Sequence, residues 1–308
     1  MSCPLCQSDD NTERETFPVG DLVHEYRRQL GIDVAQHFPD RATHLTLANC
    51  GRCGLQFFTP STPGSPDFYQ QICAIDGYYA DDRWEFSVVA GHLRPESSVV
   101  DVGCGGGRFL SRLPNRDKLG LEHNPAAIAI ARKRGVDVQS RMLADLPSES
   151  ADAITLFQVL EHLEHPRPVL EAAWRVLRPG GRLFLAVPNN DGFVGALLHA
   201  PLNAPPHHVL RWGRQPLAFI ASLLPLQVEF IECEPLPAAQ LFDHRRAWFT
   251  RRLAGLSFTR PTVCARSGAS VVIRKIATAL TFASLRLNRS MPRKAVGHTI
   301  LAAYRRRS

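Results

Sequence analysis

Three sets of residues in this 308-residue chain have types and spacings that can do chemistry. The first is Val99-Val100-Asp101-Val102-Gly103-Cys104-Gly105-Gly106-Gly107-Arg108-Phe109-Leu110. Its β-branched residues predict a buried strand, glycines at 103, 105 and 107 permit a turn closed to other residues, and Arg108-Phe109-Leu110 opens a helical pattern. A backbone that can come this close to a ligand, at the start of a helix, suits a nucleoside cofactor. A dinucleotide fingerprint would put its third glycine at position 108, where Arg108 stands. Asp101 lies two residues before the first glycine, where a carboxylate suits a positively charged ligand better than a pyrophosphate. The segment 118–123 predicts a second strand ending in Glu122, at about the separation from Gly103 at which an acid meets ribose hydroxyls. S-Adenosylmethionine, with an ammonium and a sulfonium, meets both requirements. The competing readings are a ligand-free glycine turn and a solvated Glu122.

The second set is Cys3-Pro4-Leu5-Cys6 with Cys50-Gly51-Arg52-Cys53. Two C-x-x-C knuckles offer four thiolates, a tetrahedral set for structural zinc at Cys3, Cys6, Cys50 and Cys53. The 43 residues between the knuckles exceed the usual ribbon spacing, but the entropy of closing a longer loop grows slowly. Redox chemistry is the rival, and it predicts one reactive pair rather than two matched knuckles. Cys73, Cys104, Cys233 and Cys264 lack such spacing and are expected as buried thiols. The third set is histidine: His162 and His165 beside Glu161, and Pro205-Pro206-His207-His208. Imidazole is the best-placed general base at neutral pH. His207 and His208 are the first candidates, with His162 beside them; the alternative is that one histidine positions a loop while the other is exposed.

The glycine turn and several later segments resemble the class I S-adenosylmethionine-dependent methyltransferases. Met142-Leu143-Ala144-Asp145-Leu146-Pro147 resembles the loop after the third strand, where the family places an acid near the adenine; a turn cap is the competing role for Asp145. Ala151-Asp152-Ala153-Ile154-Thr155-Leu156-Phe157-Gln158 resembles the fourth strand, and Arg178-Pro179-Gly180-Gly181 leads to a fifth, Arg182–Asn189. The resemblance covers about residues 80–234 and the C-terminus. It implies a cofactor site formed by Asp101, Gly103, Cys104, Gly105, Glu122, His123, Asp145, Leu146, Phe157 and Gln158. Glu161-His162 resembles an element that quinone-biosynthesis O-methyltransferases use near a divalent metal. Gln158 stands where those enzymes carry another acid, so a packed, hydrogen-bonded Glu-His pair is expected instead. C-P-L-C, then C-x-x-C-G-L with Phe57-Phe58-Thr59-Pro60 and Tyr78-Tyr79, resembles the zinc-binding module that precedes some bacterial members.

These sites need a scaffold, and the expected one is α/β: a Rossmann-like seven-stranded methyltransferase sheet with a small N-terminal zinc-binding module. The boundaries read as a zinc-ribbon-like module at 1–62, a methyltransferase domain at 63–235 completed by a last strand in 296–308, and a basic helical insertion at 236–295. Residues 60–66 are a turn-rich linker. Ala80–Leu93 reads as a helix leading into the first strand and forming part of a lid. Segments 226–233 and 297–304 are expected as an antiparallel pair at one sheet edge, as the resemblance implies.

Charge is divided along the chain. Residues 245–308 hold 15 Lys or Arg and no Asp or Glu, while residues 1–244 hold 21 basic against 29 acidic side chains. Such a segment can meet anionic lipid, nucleic acid, a phosphorylated substrate or the acidic body of its own chain. Within it, Val272, Ile276, Ala279, Leu280, Ala283 and Leu287 share a helical face. Core or lid packing is the expected role of that face, with a membrane-surface helix as the alternative. No apolar run reaches the roughly 20 residues that span a bilayer. Met1-Ser2-Cys3-Pro4 lacks a basic-then-apolar signal, and paired knuckles favour a reducing compartment, so a cytoplasmic location is expected. The expected activity is methylation of a small molecule (a sugar, glycan precursor or secondary metabolite), at oxygen before carbon or nitrogen. Peripheral membrane contact through 245–308 fits this reading. Nucleic acid is disfavoured because no RNA-reading motif is present. The alternatives are a catalytically idle binding protein of this fold and an RNA methyltransferase using the basic segment.

Overall fold

The computed structural model of the chain describes residues 2–39, 41–75, 82–197, 200–253, 255, 268–288 and 295–307. Val99 to Val102, the β-branched run before the glycines, forms a short central strand, β4 (Val99–Val102). It pairs in parallel with β5 (Lys118–Leu121) on one side and β7 (Ala151–Phe157) on the other. The sheet continues to β6 (Asp137–Gln139) beyond β5 and to β8 (Leu177–Pro188) beyond β7. The last two strands, β10 (Leu226–Pro235) and β11 (Val296–Arg306), complete the order β10-β11-β8-β7-β4-β5-β6. Only β11 runs against its neighbours. This is a Rossmann-like seven-stranded α/β sheet, and the expected antiparallel pair occupies its edge.

Both faces of the sheet are covered, which explains why the strands read as near-continuous apolar runs. Along β8, Leu183, Leu185 and Val187 enter one core with Val100, Ile300 and Tyr304. Phe184 and Ala186 enter the other with Val99, Phe109 and Leu301. Each fully buried aliphatic side chain of this kind contributes about 1.5–3 kcal/mol relative to exposure. The helices follow local signals. α5 (Pro125–Lys133) starts on Asn124, whose side chain accepts the Ala126 N–H at 3.0 Å, with Pro125 in the first turn. α4 (Arg108–Arg112) opens after the glycine turn, α6 (Pro166–Val176) connects β7 to β8, and α7 (Arg214–Leu223) leads into β10.

The N-terminal part forms a second, antiparallel sheet: β1 (Asn11–Pro18), β2 (His44–Cys50), β3 (Gln56–Thr59) and β9 (Leu210–Arg211). β9 arrives from far along the chain, so the first 62 residues complete their sheet with a strand from the segment after β8. Helices α1 (Val19–Leu30) and α2 (Pro66–Cys73) bury Leu22, Tyr26, Phe68 and Ile72 in a core with Phe17, Leu45 and Phe58. The Tyr26 hydroxyl lies 2.7 Å from the Pro201 carbonyl and 3.0 Å from that of Ala204, and accepts the His207 N–H at 3.4 Å. The N-terminal core thereby fixes the loop that carries both His207 and His208.

Three expectations change. The helix expected over 80–93 is α3 (Trp84–Ala90), because the chain turns at Gly91 and His92; Ala80, like Tyr78 and Tyr79, lies outside the described residues. Cys73, Cys104 and Cys233 are half-buried rather than buried, the first two because they sit at element ends beside loops and Cys233 because it lies on the edge strand β10, and Cys264 is outside the described residues. The apolar stripe of the insertion is not core. In α9 (Gly268–Leu287) the inward face carries Ala277 and Thr281, while Val272, Ile276, Leu280 and Leu287 are exposed. Helix α8 (Leu241–Leu253) packs against α9, with the Phe242 and Phe282 rings 5.0 Å apart.

Candidate active site

The chain order places β5 and β6 on one side of β4 and β7 and β8 on the other, so the sheet reverses its winding between β4 and β7. Ligands of open α/β sheets bind at the carboxyl ends of strands at such a point. A cavity of about 500 Å³ opens there. At one end its wall is the turn after β4. Gly103 holds φ at 67°, and a Cβ at that position would come 2.7 Å from Val159. Gly107 holds φ at 71° and would place a Cβ 3.0 Å from both Ala131 and Val136, so the turn depends on glycine for conformation and for space.

Asp101 sits beneath this turn, 3% exposed, with its Oδ1 accepting the Thr155 hydroxyl at 2.6 Å. Burial pushes its acid up to about 7, against the pull of the Thr155 hydrogen bond, and Glu122 adds to the rise. A positively charged group beside it would restore the carboxylate. Glu122, at the tip of β5, is engaged with backbone: it accepts N–H groups of Gly105 at 2.9 Å, His123 at 2.8 Å and Asn124 at 2.9 Å. Phe157 stacks edge-on with Phe86 of α3 and Phe109 of α4, and closes one side of the cavity.

At the other end the walls come from two loops. The turn after β7 carries Glu161 and His162, and the loop before β9 carries His207 and His208. The Val209 N–H bonds the Glu161 carbonyl at 2.9 Å and joins the two loops. His162 Nδ1 lies 2.7 Å from the His207 carbonyl, and His207 Nδ1 lies 2.8 Å from that of Leu202. The His207 and His208 rings stack at 4.3 Å, with His162 edge-on to both. Burial brings His162 down to about 4, although the carbonyls of His207 and Gln158 pull the other way. Burial, together with neighbouring imidazoles, holds His207 and His208 well below the ordinary value. All three rings are therefore neutral at pH 7. Burial pushes Glu161 up to about 8. The expected hydrogen-bonded Glu-His pair is not formed: His162 Nε2 stays 4.0 Å from Glu161 Oε1, and neither Glu161 oxygen has a hydrogen-bond partner among the described residues.

The four N-terminal cysteines also converge. Cys3 and Cys53 Sγ are 3.5 Å apart, as are Cys6 and Cys50 Sγ, and all four sulfurs lie within 4.8 Å of one another. Four sulfurs each about 2.3 Å from a tetrahedral zinc are separated by about 3.8 Å, so the set fits that ion. Cys3 is lowered to about 5 by the Cys53 thiol beside it, while burial raises Cys6 to about 11.

Residues 100–185 match the family model described as a methyltransferase domain. That stretch, from the central strand to the middle of β8, is thus similar to a methyltransferase domain. The ubiquinone biosynthesis O-methyltransferase of Pseudomonas entomophila is 34% identical over 104 residues, which is 30% of this chain and 45% of that protein. The enzyme of the same name from Xanthomonas oryzae pv. oryzae is 36% identical over 111 residues, covering 32% of this chain and 46% of its own length. An uncharacterized protein of Methanocaldococcus jannaschii is 32% identical over 115 residues, 37% and 55% of the two chains. The chain thus spans about half the length of the curated relatives it matches. Among solved structures, a methyltransferase of Thermotoga maritima described as a possible histamine N-methyltransferase aligns over 79% of this chain and 97% of its own, with 17% identity and a TM-score of 0.49.

The cavity brings together Asp101, Gly103, Cys104, Gly105, Phe157 and Gln158 from the expected cofactor residues, and His162, His207 and His208 from the expected bases. Glu122, His123, Asp145 and Leu146 stand at neighbouring strand ends without lining it. Asp145 accepts the Met142 N–H at 3.0 Å, the local cap that is its competing role, and Leu146 is buried in the core. Sequence reasoning missed Arg83, Arg134, Asn203 and His298, which also line the cavity. His298 comes from β11, more than a hundred residues after β7, so no local pattern announces it.

Proposed function

We propose that the chain transfers a methyl group from S-adenosylmethionine to an oxygen of a small, hydroxylated molecule such as a sugar, glycan precursor or secondary metabolite. The observation that carries this reading is that one cavity is walled at one end by the glycine turn with Asp101 and at the other by three neutral imidazoles with Glu161. The residues fit the cofactor: a buried carboxyl whose pKa burial raises answers an ammonium, which would restore its charge, and the glycine backbone admits close approach. When bound, S-adenosylmethionine supplies an activated methyl group. The chain's own part is to align and to exclude water, which Phe86 and Phe157 serve as apolar walls, and to take a proton from the acceptor. A neutral ring nitrogen of His162, His207 or His208 receives that proton. Glu122 and Asp145, with His123 and Leu146, are the residues at neighbouring strand tips available to the nucleoside. The relatives named for O-methylation support oxygen as the acceptor atom.

Cys3, Cys6, Cys50 and Cys53 would hold a structural zinc, a role that suits the reducing cytoplasm. No helix among the described residues is long and apolar enough to cross a membrane. Calorimetry with S-adenosylmethionine tests the reading. Wild type should bind, and Asp101→Ala should lose about 30- to 1000-fold in affinity, equivalent to about 2–4 kcal/mol for an unpaired buried charge. Equal binding by both proteins, or none by wild type, would reject the assigned pocket.

A further inference from the structure

We infer that the hairpin of α8 and α9 docks on an anionic lipid surface, with the outer face of α9 lying in the headgroup layer. The first observation is what α9 leaves uncovered. Val272, Ile276, Leu280 and Leu287 are 54%, 45%, 38% and 88% exposed, and Ala279 and Ala283 between them are exposed as well. At the helical period these six side chains fall on one stripe, turned away from the buried Ala277 and Thr281. Single apolar residues on a surface need no explanation, but a continuous row of them marks an interaction site.

The second observation is the charge around that row. Lys275 and Arg286 are exposed beside the stripe on α9; on α8, Arg252 and Trp248 are exposed, with the guanidinium 5.7 Å from the indole ring. Residues 245–308 contain 15 Lys or Arg and no acid, so nothing within the segment neutralises these cations. Arg246 and Arg274 are held apart from the surface by acids outside the segment, Asp243 at 2.9 Å and Glu25 at 3.9 Å. Apolar groups flanked by long cationic side chains suit an anionic headgroup layer: the former enter the acyl boundary while the latter reach the phosphates. Other occupants match less of the surface. A nucleic acid would meet the cations and leave the stripe in water. A second copy, packed stripe to stripe about a two-fold axis, would gather Lys275 and Arg286 of both chains with no acid on α9 to balance them.

The inner side of the hairpin faces the cavity. Leu241 and Ala247 of α8 are buried with Phe193, Val194 and Ala196, and Val194 also lines the cavity. Helix α8 thus stands directly behind one cavity wall, and an acceptor with an apolar part, held at the same lipid surface, is the class that docking favours. That last point rests on the proposed methyl transfer; the docking surface does not.

Flotation of the full-length protein with vesicles tests the inference, using phosphatidylcholine alone and phosphatidylcholine with phosphatidylglycerol in a three-to-one ratio. Wild type should float with the mixed vesicles, stay behind with the neutral ones, and bind less as salt is raised. Ile276→Ser with Leu280→Ser, and separately Lys275→Gln with Arg286→Gln, should each weaken binding about 10-fold or more. All four side chains are exposed, so the melting temperature should hold in both variants. No association of wild type with the anionic vesicles, or undiminished association in the Ile276 and Leu280 variant, overturns the docking surface. Sedimentation without lipid supplies a further check: a dimer that the same pair of serine substitutions dissolves would assign the stripe to a second copy and likewise overturn it. Retention by an RNA oligonucleotide without vesicle binding would assign the cations to nucleic acid, with the same result. Calorimetry with S-adenosylmethionine on these variants separates the readings: cofactor binding without vesicle binding sinks only the docking surface, and the reverse sinks only methyl transfer.

Discussion

Two groups of metal-competent side chains lie in this molecule, and they differ in enclosure more than in spacing. The cysteines sit in the main core with Leu5, Leu55, Trp212 and Leu217, and none of them lines the large cavity. Glu161, His207 and His208 are also buried and His162 is half-buried, yet all four line that cavity. A sealed set can only hold chain segments together, whereas a set with an open side can meet a ligand. Donor convergence therefore does not distinguish structural from chemical roles; access does.

The largest test of that contrast is the double variant Cys50→Ser, Cys53→Ser. It should abolish the proposed zinc site, coordination at which is worth on the order of 10 kcal/mol in small domains. Because these cysteines share a core with the main sheet, the whole chain should melt early rather than the N-terminal part alone, as calorimetric unfolding and metal analysis would show. Next in size is His208→Ala. The expected result is a fall in kcat of about 100-fold or more with a stability cost below about 2 kcal/mol. A melt as damaged as that of the cysteine variant would break the comparison.

The smallest effect concerns pH at the cofactor end. With Asp101 raised to about 7, its carboxyl is protonated below neutrality, and affinity for S-adenosylmethionine should fall about tenfold from pH 8 to pH 6. Asp101→Asn should bind weakly at both. Stability supplies the opposite check. The folded value lies above the unfolded one, so the carboxyl's contribution is complete in acid and is lost as pH rises through 7. Ligand-free Asp101→Asn should therefore gain melting temperature relative to wild type between pH 5 and pH 8. A constant difference would remove Asp101 from the account.

Local pattern made much of this legible. β-Branched Val99 to Val102 before spaced glycines fixed strand, turn and helix, and repeated apolar runs announced a sheet buried on both faces. C-x-x-C pairs reported their own convergence. Features that depend on distant pairing stayed hidden. β9 has only two residues, Leu210 and Arg211, too few for any alternation to be seen. The stripe on α9 has the period of a buried face, yet Ala277 and Thr281 are the buried residues of that helix while Val272, Ile276 and Leu280 are exposed, so periodicity alone misplaced the inward face. At the acceptor end, Gln158 in place of an acid made Glu161 and His162 read as a packed pair. The imidazoles that complete their surroundings lie some 45 residues away and are delivered by a loop whose position Tyr26 sets.

That tyrosine has a consequence for how the chain can be cut or recombined. Its phenol braces the segment bearing two of the three imidazoles that line the cavity, from a helix that precedes the residues matched to the methyltransferase family model. The front of the molecule is thus no detachable accessory. A truncation that removed the N-terminal sheet and α1 would take this anchor from the loop, and a chimera exchanging the leading segment would have to carry residues 200–211 with it.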